Sequence, residues 1–473
     1  MIGFSLRSAF VASLLLCLPL TLAADDWSGW LGAKRDGILR ESGLVQRFPK
    51  EGLPVKWKKP VEQGYSGPAV VGGKVFLTDF ARVKGQDGKP LPPDKGVIRG
   101  KERVLCFSAK DGTEVWKHEY ECGYKVSYPF GTRCTPLVRD GRVYSLGTMG
   151  HLACLNAETG KPLWEKHLPS DYKLSLEGPL TKVETPIWGY SAHPLLDGDL
   201  LYTLVGGKGS AVVALHKDTG KEVWRALDAT EVGYAPPIII AAGGTRQLII
   251  WLTESINSLD PATGKVHWTQ KYPTKGEPTR PAVSIHQPCH YQDMLFVSTV
   301  YHGPMMLKLA ADKPAASLLW EAKNENPAKP DGLRCLMSQP VLTKGHIYGN
   351  GMMGELGCFR IEDGAEVWRT MEAVYAKNEK TKKPRVDCGT VFLIPLSEQS
   401  DRYYLFNDQG ELIVADLTPQ GYKEIDRTRI IEPVQAARGR TVVWTHPAFA
   451  EKCVFVRNEK ELICLSLSDA GKS

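Results

Sequence analysis

Short apolar stretches alternate with turn signals along the chain. In Pro136-Leu-Val-Arg-Asp-Gly141-Arg-Val-Tyr144, two apolar runs flank an Asp-Gly pair, and Pro340-Val-Leu-Thr-Lys-Gly345-His-Ile-Tyr348 repeats the arrangement. Glycine accepts the positive φ that a tight hairpin turn requires, so each segment predicts two antiparallel strands. No stretch shows sustained helical periodicity. The pattern therefore predicts an all-β chain of short strands.

One phrase recurs at intervals of about fifty residues. It consists of an apolar strand, an Asp or Thr followed by Gly, and a second strand that ends in Trp. Clear copies end at Trp116, Trp164, Trp224, Trp268 and Trp368. Two degraded copies end at Trp320 and at Ile425, and Trp57 stands without the preceding phrase.

The phrase and the hairpin upstream of it make each repeat a unit of four antiparallel strands. A single sheet of this size cannot bury both faces, so the units must stack, and radial stacking gives a β-propeller. The last repeat supplies three strands, and the strand at Trp57 can complete it. The sequence thus predicts an eight-bladed β-propeller closed by N- and C-terminal strands of one blade. An open solenoid would need polar caps and would leave the missing fourth strand unexplained.

The phrase Ala-x-Asp-x-x-Thr-Gly-x-x-x-Trp resembles the tryptophan-docking motif of the PQQ-like, or quinoprotein-type, β-propeller repeat family. The opening Trp27-Ser-Gly-Trp30-Leu-Gly-Ala-Lys-Arg35-Asp36-Gly37 also resembles the start of secreted PQQ-binding-like propeller repeat proteins. The resemblance implies that the repeated tryptophans pack between neighbouring blades. It assigns a structural role to Trp57, Trp116, Trp164, Trp224, Trp268, Trp320 and Trp368.

Residues 1–23 have the features of a secretory signal peptide: one cation, an apolar run and small residues at the end. Residue Leu16 precedes Cys17, where lipid attachment needs a small residue, so lipidation is disfavoured. No later stretch reaches the roughly 18 apolar residues of a membrane helix. We therefore expect an exported protein, periplasmic or extracellular, in which residues 24–473 form a single propeller domain without a membrane span.

Composition narrows the choice of partners. The 473 residues are 42% hydrophobic and 24% charged, with a net charge of +6 and no concentrated basic face, which argues against nucleic-acid binding. We expect a monomer.

Among the ten cysteines outside the signal peptide, Cys106, Cys154 and Cys358 occupy a repeat position that selects small buried residues. Cys122 and Cys134 flank an aromatic loop and are candidates for a disulfide.

Recognisable catalytic and metal-binding motifs are absent from the sequence. The Gly206-Gly-Lys208-Gly-Ser210 segment lacks the spacing of a phosphate loop and is interpreted as a hairpin loop. The segment His286-Gln-Pro-Cys-His290 places two histidines four residues apart without an evident third ligand. We therefore predict neither a catalytic residue nor a metal site, and the sequence favours a protein that is not an enzyme.

Aligning the innermost strands on their prolines brings polar residues to one mouth of the channel. The predicted ligand-binding set is Arg133, His193, His286, Gln287, Arg334, Gln339 and His446, with Tyr65, Tyr190 and Tyr234 nearby. Such a funnel is the default binding site of a propeller. The alternative is that these side chains only cap strand starts in a wet channel. The imidazole and guanidinium groups predict an anionic or polyhydroxylated ligand, bound more strongly below about pH 6.5.

Three functional hypotheses follow. The favoured one is a non-catalytic recognition or scaffold module that holds a ligand or an envelope protein at the channel mouth. The first alternative is a PQQ-dependent alcohol dehydrogenase-like oxidoreductase. The resemblance implies that such an enzyme uses an adjacent Cys-Cys pair and Glu, Asn and Asp around calcium, and the sequence offers neither, so no cofactor is expected. The second alternative is an outer-membrane protein assembly scaffold, weakened by the missing lipid-attachment cysteine.

Overall fold

The computed structural model describes residues 26–174, 186–281, 283–324, 331–375 and 386–469. The predicted signal peptide at residues 1–23 lies outside this range. Strands dominate the described residues, and the single helix among them is α1 (Leu168–Asp171), which has only four residues. A search of the same residues for a helix able to cross a membrane finds none.

Eight four-stranded antiparallel sheets form the blades of a ring, so the predicted eight-bladed propeller is confirmed. Blade 1 comprises β2 (Ala69–Val71), β3 (Lys74–Arg82), β4 (Ile98–Ser108) and β5 (Glu114–Tyr124), and blade 2 comprises β6 (Leu137–Arg139), β7 (Arg142–Leu146), β8 (His151–Asn156) and β9 (Pro162–His167). Blade 3 comprises β10 (Leu195–Asp197), β11 (Leu200–Leu204), β12 (Val212–His216) and β13 (Glu222–Ala226), and blade 4 comprises β14 (Ile238–Ala242), β15 (Thr245–Trp251), β16 (Ser255–Leu259) and β17 (Val266–Lys271).

Blades 5 to 8 complete the ring. Blade 5 comprises β18 (Cys289–Tyr291), β19 (Met294–Thr299), β20 (Gly303–Leu309) and β21 (Ala316–Glu321), and blade 6 comprises β22 (Val341–Thr343), β23 (His346–Asn350), β24 (Leu356–Arg360) and β25 (Glu366–Thr370). Blade 7 comprises β26 (Val391–Pro395), β27 (Arg402–Asn407), β28 (Glu411–Thr418) and β29 (Gly421–Arg429), and blade 8 comprises β32 (Ala448–Ala450), β33 (Cys453–Arg457), β34 (Glu461–Ser466) and β1 (Val55–Pro60). A hairpin of β30 (Gln435–Ala437) and β31 (Arg440–Val442) connects blades 7 and 8.

Blade 8 takes its strands from both ends of the chain. Strand β1 pairs antiparallel with β34, with Trp57 opposite Cys464, and the strand order is β1-β34-β33-β32. Strand β1 is therefore the outermost strand of the last blade. This pairing confirms the predicted closure of the ring by the two chain ends.

Six of the repeated tryptophans dock onto the turn phrase of the next blade. Each indole N–H donates a hydrogen bond to a backbone carbonyl there: Trp57 to Ala109 (2.8 Å), Trp116 to Ala157 (2.9 Å), Trp164 to Lys217 (2.8 Å), Trp224 to Pro261 (3.0 Å), Trp320 to Ile361 (2.9 Å) and Trp368 to Thr418 (2.8 Å). At all of these junctions except the one formed by Trp368, the turn glycine lies against the ring. A Cβ added at Gly160, whose φ is +69°, would come within 2.4 Å of the Trp116 ring.

Trp268 is the exception among the seven predicted structural tryptophans. Its indole N–H donates to the side-chain oxygen of Gln247 in its own blade, at 2.9 Å. The corresponding turn of blade 5 contains Asp312-Lys-Pro314 and lacks the Asp/Thr-Gly pair. Without that glycine, the turn cannot offer the same flat surface and carbonyl. At the junction between blades 7 and 8, Ile425 stands four residues after the turn Gly421, the spacing of the tryptophans, and is partly buried against the adjoining core. It is the bulged residue of its strand pair, and Asp426 lies opposite Val414.

The structure contains free thiols in place of the predicted disulfide. Both Cys122 and Cys134 are unpaired and buried. Cys122 packs with Phe80 and Tyr124, whereas Cys134 belongs to a different cluster that includes Tyr144. Cys122 belongs to the outer strand β5, and Cys134 precedes the inner strand β6 of the next blade, which explains why the two thiols are kept apart.

An N-terminal segment, residues 27–40, closes the central channel, and we call it the plug. Its Trp27 backbone pairs with Val70 of β2 in both directions at 2.8 Å, and its Leu39 N–H donates to Pro395 O of β26 at 2.9 Å. Between these points, the Arg35 guanidinium donates to Pro194 O in blade 3 at 2.9 Å. Because these partners lie on different sides of the ring, the plug spans the channel.

We expect Trp116→Ala to lower the free energy of unfolding by about 3–5 kcal/mol, because it removes a buried ring and its bond to the next blade. Ile425→Ala, at the equivalent position of a junction without the tryptophan, should cost about 2 kcal/mol. Urea unfolding followed by circular dichroism measures both values. A loss below about 0.5 kcal/mol for Trp116→Ala, typical of surface substitutions, would contradict the docking role.

Deleting residues 24–60 should produce soluble aggregates, because it exposes the edge of the apolar strand β34 and removes the plug. Size-exclusion chromatography with light scattering, together with a thermal melt, measures the effect. Val55→Thr provides a control, since Val55 is an exposed position of β1. A monomeric deletion variant with the melting temperature of the full chain would show that closure does not hold the ring together.

Candidate functional site

A cavity of about 250 Å³ opens at the end of the channel where the inner strands begin, and we call it the mouth. Trp30 of the plug contributes to its lining. Aromatic side chains dominate the lining: Trp30, Tyr65, Tyr128, Trp188, Tyr234, Tyr301, Phe392 and Trp444. Its cations are Arg133 and Arg438, and none of the described residues that line it is Asp or Glu. The mouth is therefore an apolar funnel with a few basic and N–H groups.

Three of the seven predicted ligand-binding residues line the mouth: Arg133, His193 and His446. The Arg133 guanidinium lies 5.1 Å from the centroid of the Tyr65 ring, within cation–π range. It also donates to the carbonyls of Ser127, Tyr128 and Gly131. These contacts hold the guanidinium in a defined place without any carboxylate.

The two histidines of the mouth pack around Trp30. The Trp30 ring stacks on His193 with centroids 4.5 Å apart and meets His446 edge-on at 5.1 Å. Burial lowers the pKa of His446 to about 4. Burial, together with the neighbouring Arg35 and His446, lowers the pKa of His193 well below its usual value. Both rings are thus neutral at pH 6.5, which argues against the predicted strengthening of binding by histidine protonation.

His286 and Arg334 are among the predicted residues that do not line the mouth. His286 is fully buried, where Nδ1 donates to Gln287 O at 2.7 Å and Nε2 accepts from the Ser298 N–H at 3.1 Å. Arg334 is also buried, and it donates to Val300 O at 3.0 Å and Tyr301 O at 2.7 Å. These two residues fasten loops, and Arg334 positions the backbone of the mouth-lining Tyr301.

Gln287 and Gln339 line a second cavity, of about 540 Å³, that also includes the plug residues Lys34, Arg35 and Asp36. The Gln287 amide donates to Arg35 O at 2.7 Å. Gln339 exchanges hydrogen bonds with the backbone of Gln287, at 3.0 Å and 3.2 Å. The two amides therefore anchor the plug to blades 5 and 6.

Two of the aromatic residues that line the mouth, Trp30 and Trp444, were not selected from the sequence. Their indole nitrogens and both ring nitrogens of His193 are buried without a hydrogen-bond partner. The signal was the aromatic residues before the inner strands: Trp444 stands two residues before His446, and Tyr65 two before Gly67.

Comparison with known proteins identifies several relatives. A family model described as outer membrane protein assembly factor BamB matches residues 100–370 and 208–470. The quinoprotein alcohol dehydrogenase PedH of Pseudomonas putida is 29% identical over 177 residues, which are 34% of this chain and 25% of PedH. Outer membrane protein assembly factor BamB of Burkholderia pseudomallei is 22% identical over 261 residues, 54% of this chain and 59% of that protein. The chain thus matches less than two thirds of the length of either relative.

Among solved structures, BamB from Moraxella catarrhalis superposes with a TM-score of 0.53 at 12% sequence identity. The superposition covers 88% of this chain and 99% of that structure, and at this identity it speaks for the fold alone. The two matches of the family model together extend from residue 100 to residue 470 of the 473. The chain therefore belongs to the PQQ-like β-propeller repeat family that this model represents.

Proposed function

We propose that this protein is an exported, non-catalytic recognition propeller that binds an anionic or polyhydroxylated ligand in its mouth. One observation carries the proposal: an aromatic cavity contains two arginines, and no carboxylate among its described lining residues. Apolar pockets with a few convergent polar groups are the usual form of a ligand site. The signal-peptide features of residues 1–23 support export.

The chemistry of the lining selects the ligand class. Aromatic faces, such as those of Trp30 and Trp444 in the lining, pack well against the apolar face of a sugar ring. Arg133 has no ion pair among the described residues and favours a negative charge, and Arg438 adds a second guanidinium, whose Nε lies 3.6 Å from the Asp387 carboxylate. A guanidinium can bind a carboxylate through two parallel hydrogen bonds. The cavity of about 250 Å³ suits one unit of a larger molecule. An acidic oligosaccharide combines all these properties.

The same lining argues against the dehydrogenase alternative. Calcium takes six to eight oxygen ligands, mainly from carboxylates and carbonyls, and the described mouth residues include no Asp or Glu. Burial lowers the pKa of both mouth histidines, which makes them weak bases, and no Asp or Glu among the described lining residues stands beside them to assist proton transfer. The donor set thus does not fit a calcium-bound quinone, and we assign no step to one.

A second candidate function is that of an assembly scaffold in the cell envelope. The family model that matches residues 100–470 is described as outer membrane protein assembly factor BamB, and a BamB structure shares the fold. In this case the partner would be an envelope protein. Capture experiments with envelope extracts separate this candidate from a saccharide-binding one.

We expect trigalacturonic acid to bind more tightly than the neutral cellotriose in isothermal titration calorimetry. The variant Arg133→Ala with Arg438→Ala should weaken binding of the acid about 10-fold to 100-fold, since a hydrogen bond to a charged group contributes about 1.5–3 kcal/mol. Trp444→Ala, which removes an aromatic face from the lining, should weaken both sugars by a smaller factor. Arg246→Ala, in the second cavity, is the matched control and should bind normally.

Three results would overturn the proposal. Equal binding of the acid by the wild type and the double arginine variant would show that the mouth is a hydrated surface that does not bind the acid. Dye reduction with ethanol after addition of PQQ and calcium would show a dehydrogenase. Capture of an envelope protein by a chain that binds neither sugar would favour the scaffold.

The affinity for trigalacturonic acid should change less than twofold between pH 8 and pH 5.5. The pKa of His446 is about 4 and that of His193 is also well below its usual value, so neither ring gains a proton in this range. The carboxylates of the ligand stay ionised as well. Calorimetric titrations at four pH values check this expectation. A tenfold gain at pH 5.5 would show instead that a histidine titrates in the binding site.

A further inference from the structure

A second cluster of functional groups lies between blades 1 and 2, outside the lining of the mouth. It contains Glu102 of β4, Cys122 of β5 and His151 of β8. One ligand atom from each residue, a carboxylate oxygen, the thiol sulfur and a ring nitrogen, lies within 4.8 Å of the other two. Residues far apart in sequence therefore present three different metal-binding atoms to one small volume.

Glu102 is a buried carboxylate whose recorded partners are all neutral. Its side chain accepts hydrogen bonds from the Tyr120 hydroxyl at 2.5 Å, the Tyr124 hydroxyl and the Thr148 N–H at 2.9 Å. The residue is 1% exposed, and no ion pair to it is recorded within the described ranges of the chain. Buried charges are normally paired or coordinate a metal. A cation at this position would supply the missing positive charge.

His151 provides an independent sign of a ligand. Its Nδ1 atom is buried and has no hydrogen-bond partner, although imidazole nitrogens in such surroundings normally have one. Neutral imidazole is among the commonest metal ligands in proteins, and it binds through an unprotonated ring nitrogen of this kind. Metal binding also requires the thiolate form of a cysteine, so a cation that binds here displaces the Cys122 proton.

We propose that Glu102, Cys122 and His151 bind a divalent ion of the zinc class. The sulfur, nitrogen and oxygen donors suit Zn²⁺, and a thiolate and a carboxylate together balance its two positive charges. Binding releases the Cys122 thiol proton to solvent. The Tyr120 and Tyr124 hydroxyls orient the carboxylate from outside the coordination shell.

The fourth position of a tetrahedral ion is left to water or to His167. The His167 ring centroid lies 4.4 Å from that of His151, on the neighbouring strand β9. The ion would join two strands of blade 1 to blade 2. The site is thus a structural clamp between blades rather than part of the mouth, and its existence does not depend on the function proposed above.

The test uses the full mature chain after dialysis against a chelator. Titration with ZnCl₂ by calorimetry should show one tight equivalent, and Zn²⁺ should raise the melting temperature. Titration with CoCl₂ should produce the near-ultraviolet absorption of a cobalt–thiolate bond. Cys122→Ser and His151→Gln should each weaken Zn²⁺ binding at least about tenfold, and Cys122→Ser should remove the cobalt–thiolate band.

Cys154→Ser is the matched control, because Cys154 is a fully buried free thiol on the same strand as His151. It should retain both the Zn²⁺ affinity and the cobalt–thiolate band. Far-ultraviolet circular dichroism of the metal-free variants verifies their fold, and Cys122→Ala replaces Cys122→Ser if the latter is unfolded. The absence of saturable Zn²⁺ uptake by the wild type would overturn the proposal. Uptake that Cys122 and His151 substitutions leave unchanged would overturn it as well.

Discussion

The contact between a tryptophan and the glycine turn of the next blade is the interaction on which the ring depends. It satisfies the indole N–H with a backbone carbonyl and packs the ring where no Cβ fits, as at Trp116 and Gly160. Sheets of four strands cannot bury both faces alone, so each blade is stable only against its neighbours. Six junctions use the same indole–carbonyl bond, and at five of them the ring also lies against a turn glycine, so the angle between blades is repeated until the ring closes.

The repeat made the fold predictable. Each short repeat phrase contains the Trp, the turn Gly and the strands beside them. The contact between neighbouring blades can therefore be predicted from local sequence. The unpaired strand at Trp57 then identified the closure. The sequence also contains the reason for the exception at Trp268, because the turn of blade 5 that should receive this tryptophan lacks glycine. The hydrogen bond from Trp268 to Gln247 could not be predicted, because a single glutamine carries no repeat signal.

The mouth was predicted less completely than the ring. Alignment on the inner-strand prolines locates the backbone but does not determine which way a side chain turns. Arg334 therefore stood near the right strand start but points to loop carbonyls. The plug has no periodic pattern at all, and its contacts join residues hundreds of positions apart. Consequently Trp30, which lines the mouth, could not be assigned there from sequence.

The plug and strand β1 impose an order on how the chain can reach its final form. Both come from the first sixty residues, yet their partners include Pro395 and the strand β34, which are synthesised near the end. Trp27 can pair early with Val70, but Leu39 and strand β1 must wait for partners that are synthesised much later. Completion of this propeller is thus a long-range event with a high loop-closure cost, which is typical of slowly folding β-proteins. Correct closure of such a chain requires that strand β1 and the plug do not pair with wrong partners during synthesis.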